Sequence, residues 1–332
     1  MKELTYESES RVLCSEAFFS KNTKGRLRAT APCPFRTEFQ RDRDRITHSK
    51  SFRRLMYKTQ VFPFPMDDHS RTRLTHTIEV SQIARTIARA MRLNEDLTEA
   101  AAMGHDLGHT PFGHLGEDAL NTLSPYGFKH YEQSLRVADK LENDGLGLNL
   151  TLEVRDAILN HAGDMLAETL EGRIIKFSDR IAYINHDIDD AIRAGVIRLE
   201  DIPKEFIEIF GNTHSLRIAT MVSAVIENGT ENGIGMKEPY ASAMQDLRKF
   251  MFENVYRIPV AINEGKKIFT TIERIYCYYI KNVDALPDEY KATIETDGLE
   301  RSVCDYIACM TDRYAIHLYE TLFMPKTWPI NN

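Results

Sequence analysis

The sequence has few residues that interrupt helices: 17 glycines and 12 prolines make up less than a tenth of its 332 residues. This low density of helix breakers favours a helical chain. Hydrophobic residues contribute 42% and charged residues 27%, which excludes the disordered and fibrous classes of protein. A chain of this length buries a large core without disulfides or a structural metal, so a metal site in it is expected to be functional.

The sequence also lacks the segments that direct a protein into or across a membrane. It contains no run of about 18 apolar residues, which excludes a transmembrane helix. It begins with an acidic stretch and has no apolar segment of the kind found in signal peptides. Its five cysteines are scattered and form no CxxC motif. Reduced thiols and a cytoplasmic location are therefore expected.

Charge is mildly acidic overall, with 42 basic against 49 acidic residues and a net charge of −7. This balance argues against a dedicated nucleic-acid-binding protein. Residues 41–73 nevertheless contain nine Lys or Arg and four Asp or Glu, a local surplus of +5. Such a surplus is typical of a solvated loop, and beside a metal site it would suit a polyphosphate.

Apolar residues recur with helical spacing over most of the chain, and alternating, strand-like runs are nearly absent. The pattern predicts an all-α protein in which residues 1–40 form an irregular arm. One predicted helix begins after the cap Asn94 and ends at His105 to Gly108. The other predicted helices cover residues 76–93, 114–123, 130–142, 151–161, 171–194, 203–211, 215–227, 241–254, 263–282, 287–294 and 299–321.

Four potential metal ligands lie near or inside predicted helices: His76, His105, Asp106 and Asp179. Two imidazoles and two carboxylates suit one divalent ion such as Mn, Mg, Co, Fe, Ni or Zn, and leave room for water or substrate. Neighbouring residues of a helix point about 100° apart, so His105 and Asp106 can reach the same ion. We therefore predict one divalent metal held by these four residues.

The stretch after the His105-Asp106 pair is rich in groups that can carry protons, namely His109, His114, Glu117 and Asp118. Five of the eleven histidines lie between residues 76 and 130. This density favours a catalytic site over a capped helix end with surface histidines.

The pattern of His76, His105-Asp106 and Asp179 resembles the HD superfamily of metal-dependent phosphohydrolases. Motifs around it resemble one branch, the deoxynucleoside triphosphate triphosphohydrolases, or dGTPase-like proteins. These motifs lie, in order, at residues 39–46, 52–55, 58–61, 73–76, 105–117, 127–130, 132–136, 149–155, 181–190 and 305–314. The resemblance implies an HD-domain helical bundle over residues 41–195, with additional C-terminal helices over 196–332 packed on it.

The resemblance implies a hydrolase that converts a dNTP to deoxynucleoside and inorganic triphosphate. That reaction breaks the bond between the α-phosphorus and the 5′-oxygen, and the leaving oxygen needs a proton. His114 and Glu117 are the candidate acid pair, because a carboxylate three residues on can fix the tautomer of the imidazole. His109 and His130 are further histidines expected near the phosphates.

Asp179, Tyr183 and Asp187 recur every four residues on one predicted helix and therefore face the same side. We expect Tyr183 to stack on the sugar and Asp187 to accept a hydrogen bond from the 3′-hydroxyl. The resemblance adds that Gln60 binds this hydroxyl and that Tyr183 blocks a 2′-hydroxyl.

Arg73 is the first candidate for a phosphate clamp, because a guanidinium group matches phosphate oxygens, and Arg54 is a second. Two pairs of residues have simpler interpretations. Asp189 and Asp190 are expected to be solvated or ion-paired, and Cys304 and Cys309 are not expected to hold a second metal.

The chain departs from the family pattern at Lys129, Tyr131, Arg180 and Cys309. None of these is a predicted metal ligand, so the departures bear on base preference and allosteric control. Two alternatives remain open: another HD-type phosphohydrolase, such as a nucleotide phosphodiesterase or monophosphatase, or a non-catalytic helical regulator that binds nucleotide or nucleic acid. Expected partners are a dNTP, further copies in a dimer-based homo-oligomer (a dimer, tetramer or hexamer), and, weakly, single-stranded nucleic acid.

Overall fold

The computed structural model describes residues 1–60 and 69–326. In these ranges the regular structure is helical, apart from two isolated β-bridges that join Arg26 to Thr151 and Thr59 to Thr72. The prediction of an all-α fold is confirmed. Val61, at the end of the predicted motif 58–61, and part of the basic stretch 41–73 lie outside the described residues.

Most helices begin and end within a few residues of the predicted positions. They are α1 (Lys2–Val12), α2 (Glu38–Thr47), α3 (Lys50–Arg54), α4 (Arg73–Ala90), α5 (Glu95–Gly104), α6 (Gly113–Leu123), α7 (His130–Arg136), α8 (Leu152–Leu159), α9 (Leu170–Arg193), α10 (Lys204–Phe210), α11 (His214–Asn228), α12 (Tyr240–Met251), α13 (Pro259–Lys281), α14 (Asp288–Lys291), α15 (Ile294–Asp297), α16 (Leu299–Ala308) and α17 (Asp312–Phe323). A π-helical turn continues α7 over Val137–Leu141, and another continues α12 over Phe252–Tyr256.

Two predicted segments differ from the structure near the chain ends. Residues 1–40 are not irregular throughout, because α1 begins at Lys2. The predicted helix 299–321 is two helices, since α16 ends at Ala308 and the Thr311 side chain caps α17 by accepting from the backbone N of Tyr314. That break places the start of α17 beside Thr59 and Phe112, which both hydrogen-bond to Asp312.

The predicted helical pair His105-Asp106 lies just after α5, which ends at Gly104. The chain turns there because residue 108 packs tightly on α7. A Cβ at Gly108 would lie 2.2 Å from the backbone N of Ser134, and the Gly108 N–H donates to Ser134 Oγ at 2.9 Å. Asn94 caps α5 as predicted, accepting from the backbone N of Asp96.

The main hydrophobic core forms where α4, α5 and α9 pack on one another, with α11 and α12 beside them. The predicted apolar stripe of α9 is buried in it at Ile174, Ile181, Ile184 and Ile188. Each fully buried aliphatic side chain of this kind contributes about 1.5–3 kcal/mol. This packing brings the start of α4, the end of α5 and the middle of α9 together, and these are the positions of the predicted metal ligands.

A second core joins the C-terminal helices to the first half of the chain. It contains Ala119 and Leu120 of α6 together with apolar residues of α13 and α16. The buried Asp305 of α16 also accepts hydrogen bonds from Gln133 and Arg136 of α7. Among the described residues, no helix is both long and apolar enough to cross a bilayer.

Candidate active site

A cavity of about 1040 Å³ lies where α4, α9 and the loop after α5 meet α12 and the start of α13. Most of the predicted site residues line it: Gln60, Arg73, Asp106, His109, His114, His130, Asp179, Tyr183 and Asp187. Residues that were predicted in separate segments to bind metal, transfer protons or bind substrate therefore line one cavity.

The four predicted metal ligands lie together beside this cavity. His76 Nε2 is 3.0 Å from Asp179 Oδ1, and His105 Nε2 is 4.0 Å from the same oxygen. His105 Nε2 is also 3.9 Å from Asp106 Oδ1. Ligand atoms of His76, His105 and Asp106 all lie within 4.8 Å of one another. This spacing lets the group converge on one ion.

The hydrogen bonds of His105 favour metal binding. Its Nδ1 lies 2.6 Å from the carbonyl oxygen of Ala102 and must donate to it, which leaves Nε2 without a proton. Nε2 is buried and has no hydrogen-bond partner. A buried lone pair beside two carboxylates is the arrangement in which a second hydrogen bond orients a histidine toward a metal. The residues therefore fit a divalent cation.

Arg73, predicted as a phosphate clamp, is bonded to a metal-site residue. Its Nη1 donates to Asp106 Oδ2 at 2.8 Å, and Nη2 donates to the Gln60 carbonyl oxygen at 3.4 Å. Burial alone would raise the pKa of Asp106, but Arg73 and the nearby histidines hold it well below its ordinary value. Arg73 thus keeps Asp106 ionised while reaching the cavity wall.

Glu117 contacts two histidines. Its Oε2 lies 3.3 Å from His114 Nδ1, as predicted, and 3.0 Å from His130 Nδ1. Glu117 Oε1 also accepts from the backbone N of His130 at 2.9 Å. Burial alone would raise the pKa of Glu117, but hydrogen bonds from both histidines hold it well below its ordinary value. Glu117 therefore stays a carboxylate that orients both rings.

His109 lies beneath these rings. It is fully buried, it stacks on His130 at a ring distance of 5.0 Å, and its ring lies 5.3 Å from that of His114. Burial, and next Arg73, lower its pKa well below the ordinary value. His109 is thus neutral, and it lines the cavity without adding a positive charge to it.

His161 is a site residue that sequence reasoning missed. Its Nδ1 lies 2.7 Å from the Ile158 carbonyl oxygen and must donate to it, so Nε2 of the neutral ring carries no proton and can accept a hydrogen bond. That Nε2 faces His130 Nε2 at 3.2 Å. With Glu117 on the other side, both ring nitrogens of His130 face acceptors. The only sequence feature was a histidine directly after an amphipathic helix.

The sugar-binding residues predicted on α9 are joined by a tyrosine from the C-terminal half. Tyr256 donates a hydrogen bond to Asp187 Oδ2, while Asp187 Oδ1 and Gln60 Oε1 are buried and have no hydrogen-bond partner among the described residues. Burial raises the pKa of Asp187 to about 7 and that of Tyr183 to about 12. Two unpaired buried acceptors beside Tyr183 suit a ligand that carries hydroxyl groups.

Basic residues line the cavity, but they differ from those expected of the segment 41–73. They are Lys176, Arg180, Arg248, Lys249 and Arg257, in addition to Arg73. Arg54 does not line the cavity, and its Nη2 donates instead to Ser51 Oγ at 2.8 Å. The reason is that α3 has only five residues and turns Arg54 toward Ser51 and Glu142. Arg54 is thus not placed for substrate contact in this cavity.

The simpler interpretation of Asp189 and Asp190 agrees with the structure. Arg71 contacts Asp190 Oδ1 at 3.0 Å and Asp189 Oδ2 at 3.8 Å, so both carboxylates are ion-paired. Cys304 and Cys309 are free buried thiols.

Two sequence families match this chain. The HD domain matches residues 73–184, and the phosphohydrolase-associated domain matches residues 234–321. The first match contains all four predicted metal ligands, and the second contains the cavity residues of α12 and α13.

Curated relatives match over almost the whole chain. A deoxyguanosinetriphosphate triphosphohydrolase-like protein of Caldanaerobacter subterraneus is 54% identical over 329 residues, which are 99% of this chain and 97% of the relative. A protein of the same name from Desulfatibacillum aliphaticivorans is 50% identical and covers 92% of this chain and 93% of its own. A crystal structure of a hypothetical protein from Aquifex aeolicus aligns with a TM-score of 0.48 at 20% identity, covering 86% of this chain and 68% of that one.

Identity of about half the residues along nearly the full length shows that the chain belongs to the deoxyguanosinetriphosphate triphosphohydrolase-like proteins, a hydrolase family of the HD superfamily.

Proposed function

We propose that this protein hydrolyses deoxynucleoside triphosphates to deoxynucleoside and inorganic triphosphate, using one divalent metal. The observation that carries the proposal is that Asp106 and Asp179 of the metal group, His114 and His130, and Tyr183 and Asp187 of α9 all line one cavity of about 1040 Å³. The proposal is supported by the relatives, which are named deoxyguanosinetriphosphate triphosphohydrolase-like proteins.

His76, His105, Asp106 and Asp179 would hold the metal. When bound, it supplies Lewis-acid polarisation of the α-phosphate. Around it, the basic side chains Lys176, Arg180 and Arg248 neutralise a chain of three phosphates.

In the chemical step, the oxygen of a water molecule bonds to the α-phosphorus as a proton of that water leaves to solvent, and the bond to the 5′-oxygen breaks. His114 donates a proton to that departing oxygen, because it is the cavity histidine most open to the ligand, with its side chain 71% exposed. Glu117 holds the His114 ring through Nδ1, which directs Nε2 toward the cavity. His130 and His109 border the same space and fix the position of that carboxylate and ring.

The sugar is bound along α9, next to Tyr183 and Asp187, which follow the metal-site residue Asp179 by one and two helical turns. Tyr183 packs against the ribose face, Asp187 accepts a hydrogen bond from its 3′-hydroxyl, and Gln60 binds the same hydroxyl. A 2′-hydroxyl would meet the Tyr183 ring, so we expect deoxynucleotides to react and ribonucleotides to react poorly.

The test is to load the protein with Mn, Mg, Co, Fe, Ni or Zn, one metal at a time, and supply each of the four dNTPs and GTP. Mass spectrometry should find deoxynucleoside and triphosphate. Orthophosphate or pyrophosphate as the product would indicate a different HD-type phosphohydrolase. Binding without any product would indicate the non-catalytic regulator. Similar kcat/KM values for GTP and dGTP would contradict the assignment of Tyr183.

A further inference from the structure

Two loops that carry site residues meet at a buried carboxylate from the C-terminal part of the chain. Asp312 Oδ2 accepts hydrogen bonds from the backbone N and the Oγ1 of Thr59, at 3.0 and 2.7 Å. Asp312 Oδ1 accepts from the backbone N of Phe112 at 2.9 Å. Asp312 is only 3% exposed, so water cannot replace a lost bond without rearrangement. One side chain thus joins two segments 53 residues apart.

Both segments lead directly to groups of the proposed reaction. Thr59 precedes Gln60, which faces the sugar, and Phe112 lies two residues before His114. The segments also touch, since a Cβ at Gly113 would lie 2.8 Å from the Gln60 carbonyl oxygen. A shift of either segment would therefore change the distance between Gln60 and His114.

The bond to Phe112 holds an unusual backbone conformation. Phe112 has φ 62° and ψ 25°, in the left-handed region that residues with a side chain rarely adopt. Its side chain is 2% exposed in the second core, and α6 begins at the next residue. The conformation of Phe112 sets the direction of α6 and so the position of His114.

A lysine makes a parallel connection. Lys58 Nζ donates to the carbonyl oxygen of Ala308 at 2.8 Å and also to that of His109. The end of α16, through Lys58, and the start of α17, through Asp312, therefore both contact the segments 58–60 and 109–112. Asp312 itself does not line the cavity.

We propose that Asp312 is a positioning residue for the chemical step, which fixes the distance between the sugar-binding Gln60 and the proton donor His114. This inference rests on the proposed function and deepens it, because it assigns part of the catalytic geometry to the C-terminal helices. Asp312 acts through the two loops and touches no substrate.

The test is Asp312→Asn. An amide offers one accepting oxygen and one NH₂ group, so it cannot accept from the N–H groups of both Thr59 and Phe112. We expect kcat to fall by about 10²-fold, the usual effect of displacing a reacting group by ~1 Å, and KM to change much less. Preference for a dNTP over its 2′,3′-dideoxy analogue should also decrease, because Gln60 moves from the 3′-hydroxyl.

Asp42 provides a matched control. Its Oδ2 accepts from the backbone N and the Oγ1 of Thr151 at 2.8 and 2.7 Å, it is fully buried, and it does not line the cavity. Asp42→Asn should lower the melting temperature while kcat and the preference against the dideoxy analogue stay at the wild-type values.

The outcomes separate the two proposals. A wild-type protein that does not release triphosphate from any dNTP refutes the proposed function. An active wild type in which Asp312→Asn retains the kcat of Asp42→Asn refutes the positioning role alone. If Asp312→Asn does not fold, Thr59→Val removes one of the three bonds. It should lower kcat, and Thr59→Ser should restore it. A normal kcat in Thr59→Val then overturns the inference.

Discussion

His130 and His161 face each other through their Nε2 atoms at 3.2 Å. Because Glu117 holds Nδ1 of His130 on the other side, these three residues form one row from the buried carboxylate to the edge of the metal residues. His114 stands beside this row, bonded to Glu117 and with its ring 6.2 Å from the ring of His130. This arrangement predicts how substitutions in the group will combine.

His114→Ala should lower the single-turnover rate by about 10²–10⁴-fold, the usual contribution of a positioned general acid. Because the His114 side chain is 71% exposed, its removal should change the free energy of unfolding by no more than about 0.5 kcal/mol. Single-turnover kinetics and urea unfolding of the same preparation check both values. A normal rate with lowered stability would make His114 a structural residue.

Glu117→Gln should slow the reaction because Glu117 orients both His114, the proposed proton donor, and His130, to which it is bonded by side chain and backbone. We therefore expect strong non-additivity between Glu117→Gln and His130→Ala, since residues that act as one unit fail together. A double-mutant cycle on the single-turnover rate measures this coupling. Independent effects that simply multiply would contradict the row described above.

His105→Gln should remove the bound metal and abolish turnover while the fold is retained. Asp106→Ala is a less clean test, because it leaves the buried Arg73 without its partner and should cost about 3–5 kcal/mol of stability. Elemental analysis, activity and thermal melting of both variants make the comparison. Unchanged metal content in His105→Gln would show that His105 is not a ligand.

Stability should depend on pH through Asp187. Burial raises its pKa to about 7 from an ordinary value of 3.8, and the bond from Tyr256 and the charges of His76 and Arg73 oppose this only in part. The protonated carboxyl is therefore favoured in the folded protein. Its contribution to stability is complete below pH 3.8 and is lost as the pH rises through 7.

Asp187→Asn keeps an acceptor for Tyr256 and removes the titration. Relative to wild type, the variant should gain stability as the pH rises from about 4 to 7, towards a limit of roughly 4 kcal/mol for the full shift. Urea unfolding at several pH values measures the difference between the two proteins. A difference that does not change with pH would contradict the assignment.

The C-terminal helices should depend on Arg136 for their attachment. Arg136 Nε lies 2.8 Å from Asp305 Oδ2, and Asp305 is fully buried. Arg136→Met should therefore destabilise the protein by roughly 3 kcal/mol, because a buried carboxylate loses its closest cation. Arg89→Met is the control, since its pair with Glu95 is exposed and should contribute far less to stability. Equal losses in the two variants would contradict the prediction.

The parts of the site that were predictable share a local spacing. Asp179, Tyr183 and Asp187 follow the period of one helix, and His105 and Asp106 are neighbours, so sequence distance alone brings each set together. The fold class was predictable for the same reason, because apolar periodicity extends through α4, α5 and α9.

The rest depended on contacts between distant segments. Nothing near Arg73 in the sequence indicates that it pairs with Asp106, 33 residues later. His161 and Tyr256 belong to other elements and reach the site only because helices pack. Arg54 shows the converse, since a five-residue helix has too little periodicity to predict which way a side chain faces.

Most of the cavity wall comes from the two matched regions of the chain, with Gln60, Asp187 and Val196 outside both. The histidines and carboxylates proposed to carry out bond breaking come from residues 73–184, whereas Gln245, Arg248 and Phe252 come from residues 234–321. For the proposed function, we expect substitutions in the second region to change which nucleotide is accepted while the reacting groups stay unchanged. Exchanging residues 245–258 between two relatives should then transfer their substrate preference and leave the kind of bond cleaved the same.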